Sequence, residues 1–287
     1  MAVTNFIPEL WSAKLLVALR KAHVSGALVN RDYEGEIKRQ GDTVKITSIN
    51  DVTIGNYTAH SDITWEDIDD ATRSLLIDQA KYFAVELDDI ERAQEKKGGK
   101  SALDQAVDNA AYQLRDVADA FLLAAMATGV QGTANDLGTR AIHTTTRNLY
   151  DAFVDLSVVL DEANVPEENR FAVLKPSLYG RVLKLDEFVA PGDIQGAEVR
   201  GKGFVGEIAG LSLYKSNNMP TVTDAAATGG AVIAGSRMAT TFAEQILKVK
   251  AVDRENRFAE GVKGLHVYGA KVVRPTALAT VEFDATV

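Results

Sequence analysis

The 287-residue sequence predicts an α+β fold, and three stretches carry that reading. A helical apolar stripe runs from Leu103 to Ala125. Two strand-like stretches, at 43–47 and 73–87, flank an outsized connection. Residues 245–283 are dominated by strand patterning. Hydrophobic content of 46% and charged content of 25% are those of a folded soluble domain. The length is enough for a large core divided into subdomains. The net charge of −9 repels phosphate and argues against sequence-wide nucleic-acid binding. There is no cysteine, which removes disulfides, thiolate chemistry and cysteine-ligated metals together. Charged residues at Glu9, Lys14, Arg20 and Lys21 interrupt the N-terminal stretch, so it does not read as a signal peptide. No apolar run approaches the roughly 20 residues that span a bilayer.

Taken in order, the chain opens with a short helix. Pro8 suits a first helical position, and Leu10, Ala13, Leu16 and Val17 continue the pattern to about His23. Ser25–Gln40 is polar and charged and is expected to bury little against its own domain: it is either a frayed terminus or a strap along a partner. Over residues 1–40, six Lys and Arg face four acids. Residues 41–97 read as a long β-hairpin. Val44 and Ile46 alternate with Thr43, Lys45 and Thr47, and the return side is Arg73–Leu87, with Leu75, Ile77, Phe83, Val85 and Leu87 on one face. The connection Ser48–Thr72 is far longer than a hairpin turn needs. It keeps Ile54, Tyr57, Ile63, Trp65 and Ile68, more apolar surface than a disordered loop carries. It is expected to project and dock.

After the break Glu95–Lys100 comes the helix predicted over Ser101–Gly129, roughly 40 Å long. Ser101 with Asp104 forms a capping pair. Leu103, Ala106, Val107, Ala110, Leu114, Val117, Phe121, Leu122 and Ala125 form its apolar stripe, while Asp108, Gln113, Arg115, Asp116 and Asp119 fall between. Residues 130–146 read as a connector. A second helix is expected over Asn148–Asn164, with Leu149, Phe153, Leu156, Val159 and Leu160 on one side. Arg170–Lys175 is a strand, and Pro176 opens a helix through Leu178, Val182, Leu185 and Phe188. Ala190–Gly206 is glycine-rich, and Leu211–Tyr214 and Ala231–Ala234 are strands. In 245–283, Leu265–Val273 and Ala277–Phe283 follow a weakly alternating Ile246–Val252.

No catalytic constellation emerges. His23, His60, His143 and His266 lie on separate segments with no ligand-type spacing, and each reads as a surface or packed histidine. Gly201–Gly206 matches GxGxxG, but the next segment reads as strand, where a dinucleotide site needs a helix N-terminus for the pyrophosphate. Gly230 and Gly235 have Walker A spacing, but Ser236 replaces the phosphate-binding lysine. The acids Asp62, Glu66, Asp67, Asp69 and Asp70 lack EF-hand spacing and read as a solvated or partner-facing loop.

The layout itself is informative: extended arm, long two-stranded loop, long helix, mixed block, strand-rich return. With three local motifs, it resembles the major capsid proteins of tailed bacteriophages with the Hong Kong 97 fold. Gly206 through Pro220 (GEIAGLSLYKSNNMP) is similar to that family's hairpin. Phe171–Pro176 is similar to its strand that ends in proline before a helix. Arg254–Phe258, Tyr268-Gly269 and Arg274–Leu278 (RPTAL) resemble its closing strands. The resemblance covers essentially the whole chain.

It implies an N-arm at 1–40, an E-loop at 41–97, a P-domain with a spine helix at 98–129 and 240–287, and an A-domain at 130–239. It implies a non-enzymatic shell protein with no cofactor or metal, assembling as hexamers and pentamers into an icosahedral head around double-stranded DNA. Assembly is expected in the host cytoplasm, with a portal, with a separate scaffolding protein or else without one, and with or without a decoration protein. No membrane and no sequence-specific DNA contact is expected. The arm-like sequence starts at about Phe6, so no fused scaffold is expected. No Lys or Arg lies between Lys45 and Arg73, so shells without E-loop lysine crosslinks are expected. On this reading Tyr57, Ile63 and Trp65 are loop-tip anchors on a neighbouring subunit. Asp62, Glu66 and Asp67 face its basic residues, with Lys14, Arg20, Lys21 and Arg31 of the N-arm as their counterparts. An encapsulin-type nanocompartment is the alternative, and a nucleotide-binding α/β enzyme a third reading.

Overall fold

The computed structural model describes residues 25–32, 43–49, 54, 56, 62, 70–88, 102–141, 149–183, 206–220, 230–253 and 259–284. Its organising element is helix α1, Ala102–Val130. The predicted helix is displaced from it by one residue at each end, and Ser101, its expected cap, lies outside the described residues. The buried stripe is Val107, Ala111, Leu114, Ala118, Leu122 and Met126, stepping by three and four. Of the predicted stripe, Val107, Leu114 and Leu122 are buried, Ala106, Ala110, Phe121 and Ala125 are half-buried and Val117 is exposed, while Ala111, Ala118, Met126 and the acid Asp119 are buried outside that reading.

The strands form three sheets. Strands β1 (Thr43–Ile49) and β2 (Asp70–Leu76) pair antiparallel as a two-stranded ribbon. Strand β3 (Gln79–Asp88) does not continue that ribbon. It pairs with β10 (Ala259–Val272), which pairs in turn with β9 (Thr240–Asp253). The return side predicted as one strand is therefore two strands in two sheets, separated at Ile77 and Asp78. Alternation alone cannot reveal this, because the period continues through the break while the bonding partner changes.

The three-stranded sheet is covered on both faces. Phe242, Tyr268 and Val272 join the main core with Leu122 and Met126 of α1. Ala243 and Val267, on the opposite pleat, join Val44, Ile46, Leu75 and Ile77 of the ribbon and its exit. Close approach is permitted at Gly269, where a Cβ would collide with the carbonyl oxygen of Leu76 and stand 3.1 Å from the Ile77 Cα.

The third sheet runs β4-β11-β8-β5-β7-β6. Its members are β4 (Asp136–Ala141), β5 (Arg170–Leu174), β6 (Glu207–Ile208), β7 (Leu211–Lys215), β8 (Gly230–Ser236) and β11 (Leu278–Asp284). Strands β5 and β8 are buried throughout, which their continuous apolar runs require. Strand β4 lies inside the expected connector. It carries no alternation, contains Gly138 at φ 63°, and its ladder partner β11 is parallel and about 140 residues away. Ala209 and Gly210, both at positive φ, close the tight β6–β7 hairpin. This is the hairpin of the GEIAGLSLYK motif, and it places strands where a dinucleotide site would need a helix. Helix α2 (Leu149–Glu162) buries Leu149, Ala152, Phe153, Leu156 and Leu160, and α3 (Pro176–Val182) buries Leu178 and Val182.

Candidate functional site

The sequence puts Ser25–Gln40 outside the subunit's own core, and the described part corrects that expectation. A 3-10 turn at Ser25–Ala27 leads Leu28 and Val29 into the main core. Asn30 then adds to the edge of β9. Its N–H donates to the Thr240 carbonyl at 2.9 Å, and the Phe242 N–H donates to its carbonyl at 3.0 Å. Two apolar residues and an edge strand outweigh the polar composition, because the polar groups find buried partners at both ends.

At the first end the partner is Asp119, which projects from α1 and is 5% exposed. Its Oδ1 accepts from the Ser25 N–H at 3.0 Å and from the Ser25 hydroxyl at 2.5 Å. Its Oδ2 accepts from the Ser216 hydroxyl and the Asn218 amide, each at 3.2 Å. The same amide donates to Asp116 Oδ1 at 2.7 Å. One carboxylate thus joins residue 25, the middle of α1 and the Ser216–Pro220 turn. A carboxylate accepting several bonds is the strongest neutral-donor arrangement available to a buried acid.

At the second end Arg31 pairs with Glu244 Oε1 and lies over the Phe242 ring, 5.6 Å from its centroid. Glu244 Oε2 is shared with His266 Nε2 at 3.1 Å. Both side chains are buried. His266 is the packed histidine that its isolated position in the sequence suggests. Beside it Tyr268 packs its ring edge-on to Phe121, with centroids 5.4 Å apart. Burial, with a smaller contribution from Asp78, pushes the Tyr268 hydroxyl up to about 12. The neutral phenol is therefore favoured by folding, and stability is fully present below the ordinary tyrosine value and lost as pH rises through the folded one. Denaturant unfolding at stepped pH should show stability falling from about pH 10 upward. Tyr268→Phe should flatten that limb.

Of the residues expected to form intersubunit contacts, Asp62 is exposed and Arg31 is half-buried against Glu244 of its own chain. Lys14, Arg20, Lys21, Tyr57, Ile63, Trp65, Glu66 and Asp67 lie outside the described residues. Ile54, on the same loop, is 95% exposed. Sequence reasoning missed the buried roles of Asp119 and Glu244. The one signal for Asp119 was an acid within a stripe-adjacent helical position, and its partners lie more than 90 residues away. Among the described residues no group of three or more His, Asp or Glu could hold a metal ion. A cleft of about 380 Å³ lies on the three-stranded sheet at Val85, Val252, Gly261 and Val262.

The sequence model of the family described as phage capsid protein matches residues 62–281. A search of curated proteins found no match. Among solved structures, one from Mycobacterium phage Che8 superposes with a TM-score of 0.68 at 29% identity, covering 91% of this chain and 90% of that one. The capsid of the cyanophage P-SCSP1u gives a TM-score of 0.68 at 18% identity, covering 87% and 85%. A virus-like particle from Pyrococcus furiosus gives 0.57 at 11%, covering 96% and 98%. The last two similarities concern the fold alone.

Proposed function

The chain belongs to the phage capsid protein family, and from that premise we propose that it is the major capsid protein of a tailed phage, closing as hexamers and pentamers into an icosahedral head around double-stranded DNA. The observation that carries this is the family match over residues 62–281 on a fold shared with phage capsids. Its role is structural, its place is the virion shell, and it assembles in the host cytoplasm. A scaffolding protein, a portal and a decoration protein are proposed partners. We divide the chain as N-arm 1–40, E-loop 41–97, P-domain 98–129 with 240–287, and A-domain 130–239. The ribbon β1–β2 supports the E-loop division, since it forms a sheet of its own and leads to the exposed Ile54.

The loop tip is the proposed intersubunit contact. Tyr57, Ile63 and Trp65 anchor in a neighbour, while Asp62, Glu66 and Asp67 set register against basic residues such as Lys14, Arg20 and Lys21. Closed symmetry offers every copy such a neighbour, and many weak contacts sum to a stable shell.

The test is electron microscopy with sizing on the chain expressed alone. Closed shells, free hexamers and pentamers, or aberrant sheets are expected, and a monodisperse monomer overturns the reading. Small cages filled with a protein cargo would point to a nanocompartment instead. Trp65→Ala should cut shell yield at least tenfold, as loss of an interface anchor worth about 2 kcal/mol or more does. Unchanged yield removes Trp65 from the interface.

A further inference from the structure

Two of the chain's crossings between sheets lie side by side. The turn Arg237–Ala239 carries β8 of the six-stranded sheet into β9 of the three-stranded one, and the turn Pro275–Ala277 carries β10 back into β11. Their backbones are tied together: the N–H groups of Val273 and Arg274 both donate to the Ala239 carbonyl, at 2.9 and 3.0 Å. Arg237 joins residues 25–32 to the same corner, donating from Nε to the Val29 carbonyl at 3.1 Å. One side-chain contact also spans the two crossings. Arg274 Nη1 donates to Met238 Sδ at 3.7 Å. A thioether sulfur is a weak acceptor. Here it faces a permanent cation that meets no carboxylate among the described residues.

We propose that Met238 is a site of oxidation by hydroperoxides and that Arg274 clasps the sulfoxide, so that oxidation tightens this corner instead of loosening it. Access favours Met238: it is 41% exposed, whereas Met126 and Met219 are buried. With hydrogen peroxide the step is an oxygen-atom transfer. A lone pair of Sδ attacks one peroxide oxygen, the O–O bond breaks and an S–O bond forms. Sulfur loses two electrons and the peroxide gains them. The departing hydroxide takes the proton of the transferred hydroxyl and leaves as water. The product carries an oxygen on the atom that Nη1 already approaches. A weak contact to sulfur thereby becomes a charge-assisted hydrogen bond to oxygen.

The sign is opposite to the usual effect of methionine oxidation. A sulfoxide in a core disrupts it, because a polar group is forced among apolar ones. That outcome belongs to Met126, which is fully buried in the main core. At Met238 the new oxygen has water and the Arg274 guanidinium as partners, so nothing polar is buried without one. The gain falls on the joint between sheets because each crossing turn is only three residues long. A stronger bond across them holds the β8–β9 passage against the β10–β11 passage. The inference is a property of the single chain and does not rest on the capsid reading.

The test treats the full-length protein with dilute hydrogen peroxide and follows each methionine by peptide mass mapping. Met238 should oxidise at least about tenfold faster than Met126 and Met219, in line with exposure. Calorimetry of the oxidised protein should then show a melting temperature raised by about 2–4 °C, the scale on which one charge-assisted bond moves a chain of this size. Met238→Leu, treated in the same way, isolates any effect of the remaining methionines and should show no rise. Arg274→Ala, at an exposed position, should still oxidise at Met238 but without the rise. Three results overturn the proposal: Met238 reacting no faster than Met126 and Met219, a wild-type melting temperature that falls or stays, or the same rise in Arg274→Ala. If Arg274→Ala does not fold, the comparison with Met238→Leu decides, and equal shifts overturn the proposal. No readout needs a shell, so failure leaves the capsid reading standing.

Discussion

Asp119→Ala should lower the stability of the subunit by about 3 kcal/mol, since it strands buried donors that now bond to a charged acceptor. For a chain of this size that is a fall in melting temperature of roughly 6–12 °C. The donors are the Ser25 N–H and hydroxyl, the Ser216 hydroxyl and the Asn218 amide. They come from two stretches, residue 25 and the Ser216–Pro220 turn, that meet at this carboxylate of α1, so both should loosen together. Asp119→Asn keeps the size and one acceptor oxygen and should cost about half as much. Calorimetry on the unassembled protein gives the magnitude, and proteolysis before residue 25 gives the coupling. A change of less than about 1 kcal/mol for Asp119→Ala would mean that water replaces the carboxylate and that the joint carries no load.

Gly269→Ala should cost about 1–3 kcal/mol, the usual range for forcing a methyl group into a packed site. Two of the three atoms a Cβ would crowd are backbone atoms of Leu76 and Ile77, which cannot rotate away. The chain must shift where it leaves the ribbon for β3, so the direction of the β1–β2 ribbon should change too. Gly180→Ala is the control: it sits in α3 with open space around its Cβ position and should be neutral or stabilising by up to about 1 kcal/mol. Denaturant unfolding compares the two variants. Equal stabilities would remove Gly269 from the pivot.

Much of this fold was legible in the sequence wherever a local period decided the outcome. Helix α1 differs from its reading by one residue at each end, because 29 residues of three-and-four spacing leave little freedom. Strands β5, β7 and β8 were legible as short apolar runs closed by turn residues. What escaped depends on partners distant in the chain. The change of sheet at Ile77 is a change of bonding partner without a change of period. The burial of Asp119 and the pairing of Arg31 with Glu244 each join residues far apart in the sequence. The arm root was misjudged because composition counts its charges and not the buried groups waiting for them. The loop-tip residues were legible as a type of surface, an apolar and acidic projection, and their place against a neighbour rests on that reading.

The order of the six-stranded sheet also says something about synthesis. Strand β11 lies between β4 and β8, pairing with both, and Asn135 donates to the carbonyls of Thr276 and Leu278 to fix its start. A nascent chain that has made everything up to residue 277 therefore holds a sheet split in two, with β4 unpaired and one edge of β8 open. No local folding can heal that gap, because the missing strand follows its partners by about 40 to 140 residues. Copies on neighbouring ribosomes would thus present incomplete faces to one another. The sheet is completed only when β11 enters between β4 and β8.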